Sequence, residues 1–406
     1  MATKTQGTAP RWEFKARFRR HSFGWRSQPA VLRVRQAVTE IRRAARRDPV
    51  TGAEGGVALL ERLSPALEQV DGSSGAIGTA VNHAIATLVP IIADAPAPSA
   101  VRAAWLERLW TAYQSDQIPY LEALGDHWGE LCSSPETASA WADRLLSATR
   151  MALAPDRGPH GFFPGSSACL SALHVAGRHQ EIIDLVPPGS MWDDRRWVVR
   201  ALAALGRPSE AIQCAEACRG PWTPDGDVDR VCEQVLLAEG RADEAYALYG
   251  LRANRGPTYL ATFRAVAKKY PNVAPRQVLA DLVASTPGEE GKWFAAAREA
   301  ATPEEALALA SRSPCDPRTL TRAARDWVRP HPGAAVEAGL LALCWMARGW
   351  GYDLTAADVR APYAHALAAA RRTGGAEGLR ERVRRLLTEE DDGGWLAEAL
   401  GPEWVG

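Results

Sequence analysis

Arginines and aromatic residues alternate in RWEFKARFRRHSFGWR, residues 11–26, where Trp12, Phe14, Phe18, Phe23 and Trp25 stand among Lys15, Arg17, Arg19, Arg20 and Arg26. Guanidinium groups neutralise phosphates and aromatic rings stack on unpaired bases, so the mixture is that of a nucleic-acid-binding arm. RRAARR at 42–47 adds a second cluster. The candidate contacts to DNA, RNA or another polyanion are Arg17, Arg19, Arg20, Arg26, Arg33, Arg42, Arg43, Arg46 and Arg47, with Trp12, Phe18 and Trp25 as stacking rings. The same alternation also fits a capping segment, with rings packed on the first helices and arginines forming its polar outer face.

Other chemistry has weaker support. PGEEGKW carries Gly-Lys, but Trp293 stands where a phosphate loop needs Ser or Thr. GSSGAIG at 72–78 reads as a turn between helices, because it follows a helix and lacks Lys. The densest polar spot is LGDHWGELC, with Asp126, His127 and Cys132, and His83 on a neighbouring segment. No His-x-x-x-His or Cys-x-x-Cys pair occurs, so no metal and no cofactor are expected. Cys214 and Cys218 in CAEAC read as small residues of an Ala-rich helix. Cys315 precedes a helix start, where Asp316 is expected as N-cap and Pro317 as the first helical residue. EEDD at 389–392 reads as a solvated turn.

The charge is uneven. The chain has no net charge, yet residues 1–47 hold 13 Lys+Arg and two acids, Glu13 and Glu40, so the remainder carries the opposite excess. A basic head on an acidic body meets either an external polyanion or the protein's own surface. The seven cysteines, the lack of an apolar leader and the absence of a long apolar run predict a cytoplasmic protein with no membrane partner.

The elements that must position these residues are helical. Val31, Val34, Val38, Ile41 and Ala45 form one apolar stripe, and Arg33, Arg35, Arg42, Arg43, Arg46 and Arg47 lie mostly off it. Asp48-Pro49 ends this first helix. Further helices are expected at about 55–70, 76–93, 99–114, 117–132 and 135–153, then from 258 onward at 258–270, 275–285, 288–300, 303–311, 317–328, 334–348, 355–372 and 375–388. The Gly/Pro-rich break at 154–165 is read as the boundary between two halves.

Between these sets lies a repeat. AGRHQEI from Ala176, LGRPSEA from Leu205 and EGRADEA from Glu239 share Gly-Arg-x-x-Glu followed by Ala or Ile. Gly177, Gly206 and Gly240 would take the left-handed position that closes one helix, with the Glu in the first turn of the next. This resembles the tetratricopeptide family, and it covers about 165–257; the Trp and Gly-Tyr positions of that family's first helix are mostly missing. STPGEEGKWFAAARE (285–299) and SPCDPRTLTRAARDW (313–327) resemble a family of uncharacterised bacterial helical-repeat proteins, some with a zinc-binding module whose Cys-x-C and Cys-x-His pairs are absent here.

The expected fold is all-α, an α-solenoid of antiparallel helical hairpins. Its parts are a basic arm and first helix (1–50), N-terminal hairpins (51–154), tetratricopeptide-like repeats (165–257) and C-terminal helical repeats (258–406). The resemblance implies a non-enzymatic scaffold or adaptor with a protein partner in its groove. The basic arm points instead to a nucleic-acid-binding protein.

Overall fold

The computed structural model of the chain describes residues 12–154, 163–390 and 394–401. The start of the basic arm (1–11), most of the Gly/Pro-rich break (155–162) and the end of the acidic run (391–393) lie outside the described residues. Among the described residues every regular element is helical, apart from one β-bridge between Gly220 and Thr223. The fold is therefore all-α. Two compact units divide it, residues 1–231 and 232–406; the break at 154–165 falls within the first.

The first unit begins with α1 (Phe14–Arg17), α2 (Ser27–Ala45), α3 (Pro49–Leu67), α4 (Ala76–Ala93) and α5 (Ser99–Gln114). The short α6 (Ala123–Asp126) and α7 (Trp128–Cys132) follow, then α8 (Pro135–Ala152), α9 (Ser166–Val175), α10 (His179–Leu185), α11 (Trp192–Ala204) and α12 (Pro208–Glu216). The single helix expected at 117–132 is thus two short ones, and α3 starts at Pro49 rather than 55. Asp48 explains that start, because its carboxylate accepts from the amides of Val50 and Thr51 and Pro49 needs no partner. Helix α4 is long and apolar enough to cross a bilayer, but here Ile77, Val81, Ile85, Leu88 and Ile92 are buried and it packs on α2 and α3.

Helix α13 (Asp225–Ala238) carries the chain across the unit boundary. The second unit continues with α14 (Ala242–Ala245), a π-helical turn (Tyr246–Gly250), α15 (Leu251–Ala253), α16 (Tyr259–Lys269) and α17 (Pro275–Ala284). A 3-10 turn (Glu290–Trp293) leads to α18 (Phe294–Ala300), α19 (Pro303–Arg312), α20 (Pro317–Trp327), α21 (Pro332–Ala347), α22 (Ala356–Arg372), α23 (Ala376–Glu390) and α24 (Trp395–Leu400). Thr302 with Glu305 and Thr355 with Asp358 form reciprocal capping boxes at α19 and α22. Leu343, Met346, Val359, Tyr363, Leu379, Val383 and Leu396 join α21 to α24 in one apolar cluster.

The three Gly-Arg-x-x-Glu segments have one geometry. Gly177, Gly206 and Gly240 have φ of 75°, 72° and 72°. The following arginine amide donates to the carbonyl of Leu173, Leu202 or Leu236, and the glycine amide to that of His174, Ala203 or Leu237. Each helix thus closes with a paired-hydrogen-bond turn that satisfies two of its last carbonyls. The arginine then grips the first-turn glutamate: Arg178 Nε lies 2.6 Å from Glu181, Arg207 Nε 2.7 Å from Glu210 and Arg241 Nε 2.9 Å from Glu244. Ile182, Ala211 and Ala245, next in sequence, are fully buried.

Candidate nucleic-acid interface

The basic head folds onto the first unit with its rings inside. Trp12, Phe14, Phe18 and Phe23 form a chain of contacts with centroid separations of 5.5, 6.4 and 5.3 Å, and all four are buried. Gly55 on α3 makes room for Trp12, since a Cβ there would sit 2.4 Å from the indole. Glu40, the acid of α2, accepts hydrogen bonds from the amides of Glu13 (2.8 Å) and Phe14 (3.3 Å), fastening the start of α1 to α2. The amide of His21 donates to the carbonyl of Pro65, and that of Asp71 to the carbonyl of Trp25.

This docking corrects part of the sequence reading. Trp12 and Phe18, at 6% and 1% exposure, present no face to a base; only Trp25, at 72%, stands free of the five rings. Aromatic transfer from water to the α2–α3 surface outweighs leaving those rings exposed, at about 1.5–3 kcal/mol for each fully buried large side chain.

The arginines face the other way. Arg17, Arg19, Arg20, Arg26, Arg42, Arg43, Arg46 and Arg47 are exposed, and Arg33 is half-buried. Some are occupied. Arg17 and Arg33 both donate to Gln36 Oε1, at 3.5 and 3.2 Å, and Arg17 lies 3.8 Å from Glu13. Arg20 pairs with Glu68 at 3.5 Å, which it shares with His21 at 3.4 Å. Among the described residues, Arg19, Arg26, Arg35, Arg42, Arg43, Arg46 and Arg47 have no carboxylate within ion-pair distance.

Arg35 was not among the expected contacts, although its position on the helix reveals it. At 100° per residue, Arg35, Arg42 and Arg46 fall within about 40° of one another, opposite the buried stripe of Val34, Val38 and Ile41. They are spaced by about 10 and 6 Å along the axis, with Arg43 and Arg47 beside them. A cleft of about 480 Å³ opens between α1 and α2, edged by Arg17, Arg33, Arg35 and Arg43 and floored by Phe14, Gln36 and Ala37. The arrangement offers closely spaced guanidinium forks around a cleft, which suits the bidentate geometry of phosphate groups.

The other candidate residues are dispersed. Asp126 pairs with Arg196 at 2.7 Å, and His127 Nδ1 lies 3.1 Å from Glu130. His83 is exposed, and burial pushes the Cys132 thiol up to about 12. No hydrogen bond or ion pair joins these four residues into one cluster. Asp316 caps α20 through the amides of Arg318 and Thr319, and Cys315 is buried with its thiol shifted up by burial and then by Asp316. Arg195 donates to Cys214 Sγ, and the Cys218 thiol donates to the carbonyl of Cys214. Gly75, at φ 68°, starts α4 in the turn at 72–78. Among the described residues, no group of three or more His, Cys, Asp or Glu is placed to hold a metal ion.

Comparisons of the chain with protein-family models, with curated proteins and with solved structures find no match.

Proposed function

We propose that this is a non-enzymatic helical-repeat protein that binds nucleic acid through the face formed by α1 and α2. The supporting observation is the row Arg35, Arg42, Arg43, Arg46 and Arg47, exposed and without carboxylate partners on a helix fixed from behind by buried apolar residues. With Trp25 as its one exposed ring among the five of the arm, the face contacts backbone phosphates more than bases and reads little sequence. Fluorescence anisotropy with a labelled single-stranded RNA and a labelled DNA duplex tests this. Saturable binding that weakens with salt and is lost on replacing Arg35, Arg42, Arg43 and Arg46 by Gln is the expected result. Equal affinity of that variant and the parent protein overturns it.

The recurrent hairpins at 165–257 favour a second reading. In it, α9 to α15 stack as a tetratricopeptide-like solenoid and the protein is an adaptor whose groove takes a partner protein. Affinity capture with and without nuclease, followed by mass spectrometry, separates the two. Nuclease-resistant partners that require 165–257 support the adaptor, and nuclease-sensitive recovery supports the nucleic-acid reading.

A further inference from the structure

The second unit contains a cavity that the nucleic-acid reading does not use. It measures about 460 Å³ and lies between the π-helical turn, α15, α16, α17 and the 3-10 turn. That volume is within the range of small-molecule sites. A π-helical turn inside an α-helix sacrifices regular hydrogen bonding, and such turns concentrate at functional sites. Here it turns Tyr246 and Leu248 toward the cavity.

A buried charge network holds this turn in place. Glu233 is fully buried and accepts from Lys269 Nζ at 2.5 Å, Tyr270 Oη at 2.5 Å and Asn254 Nδ2 at 2.6 Å. The same Asn254 amide nitrogen also donates to the carbonyl of Gly250, the last residue of the π-turn, at 2.7 Å. A buried carboxylate is costly even when paired, so the segment it fixes is held at an energetic cost.

The cavity walls are rigid and their polar atoms are already occupied. Tyr246 donates to Asp281 at 2.5 Å and Tyr259 to Glu289 at 2.6 Å, while Lys292 takes the other oxygen of Glu289 at 2.6 Å. Trp293 Nε1 donates to Thr286 Oγ1 at 2.7 Å, and its ring meets Tyr259 edge-to-face at 4.7 Å. Thr262 Oγ1 accepts from the amide of Gly256 and donates to the carbonyl of Thr258. What remains for a ligand is aromatic and aliphatic surface. The charge left at the mouth is that of Arg255, which is exposed and has no carboxylate within ion-pair distance among the described residues.

We propose that this cavity binds a small organic anion with an aromatic body, its ring against Tyr246 and Tyr259 and its acidic group on Arg255. The closed hydrogen bonds of the walls explain why the body is apolar, and the uncommitted guanidinium explains the anion.

Isothermal titration of the full chain with indole-3-acetate as probe, and with indole-3-acetamide as its neutral counterpart, tests the proposal. Arg255→Glu reverses the charge at the mouth, and Ser285→Trp fills the cavity from an exposed lining position. The expected result is saturable binding of the acid with a Kd of about 1 mM or tighter, with at least a tenfold loss for the amide and for Arg255→Glu. Binding should disappear in Ser285→Trp, with circular dichroism and the melting temperature checking that each variant folds. No binding of the acid, equal binding of acid and amide, or binding that survives in a folded Ser285→Trp overturns the proposal. Should Ser285→Trp not fold, the Arg255→Glu comparison decides alone. None of these results depends on whether α2 binds nucleic acid.

Discussion

The arginines of the Gly-Arg-x-x-Glu turns and those of α2 are the same residue put to opposite uses. Arg178, Arg207 and Arg241 each fork onto the glutamate three residues later, and Arg178 also reaches Asp143 at 2.6 Å. The charge is neutralised inside the fold and helps to set the angle between consecutive helices. On α2 the pairs Arg42/Arg46 and Arg43/Arg47 instead stand one turn apart with like charge, which costs a few tenths of a kcal/mol per pair. Their place at the helix C-terminus, where the dipole favours cations, offsets part of that cost. It does not account for Arg35, ten residues before the end of α2, nor for Arg19 and Arg26 outside it. Pairing marks arginines that build the fold; its absence over a whole face marks arginines kept for something outside it.

The sharpest way to break this contrast is to make one substitution in both settings. Arg219 holds Asp229, which is 1% exposed, at 2.6 Å. Arg219→Met leaves that carboxylate buried and unpaired and should cost about 3–5 kcal/mol. Arg42→Met should change stability by less than about 0.5 kcal/mol. Urea unfolding of the two variants measures both, and comparable losses would mean that α2 depends on its arginines for folding.

Trp12→Ala should cost about 3 kcal/mol, since it empties the space against Gly55 and releases α1. It also sharpens the binding account. Contacts made by Arg17, Arg19, Arg20 and Arg26 should weaken with the loss of α1, while those of α2 remain. Partial loss of nucleic-acid affinity is the expected readout, and complete loss would move the interface onto α1.

A smaller effect concerns the repeat alone. Burial, then His179 and Arg200, lowers the pKa of His174 to about 4. His174 stays neutral in the folded protein while its unfolded counterpart takes up a proton near pH 6.5. Stability from this site is therefore present above pH 6.5 and declines as the pH falls toward 4. His174→Phe should flatten the melting temperature over that interval and leave nucleic-acid binding unaffected.

Much of the helical framework was legible because its signals are local. Asp48-Pro49, Thr302-Pro303 and Asp316-Pro317 name helix starts by chemistry within three residues. The glycine and glutamate of each repeat name a stop and the next start. The partner of the repeat's arginine became clear only from the bidentate contacts. The start of α3 was harder, because Gly52, Gly55 and Gly56 lower its helix propensity while Gly55 serves a residue 43 positions earlier. The burial of Trp12 and Phe18 is non-local in the same way. So is the π-turn, whose support comes from Glu233, Asn254 and Lys269, residues with no shared local pattern. Of the candidate interface, the charges were visible in the sequence. Which of them lacked partners was not, because that depends on where Gln36, Glu40 and Glu68 point.

The most direct test is the salt dependence of nucleic-acid affinity for the parent chain and for the variant with Arg35, Arg42, Arg43 and Arg46 replaced by Gln, each with its unfolding curve. Every lost phosphate contact should reduce the slope of log K against log salt by about 0.9 on duplex DNA or about 0.7 on a single strand. The account predicts a slope shallower by about 3 on duplex DNA with the unfolding midpoint nearly unchanged. An unchanged slope in the folded variant would contradict it.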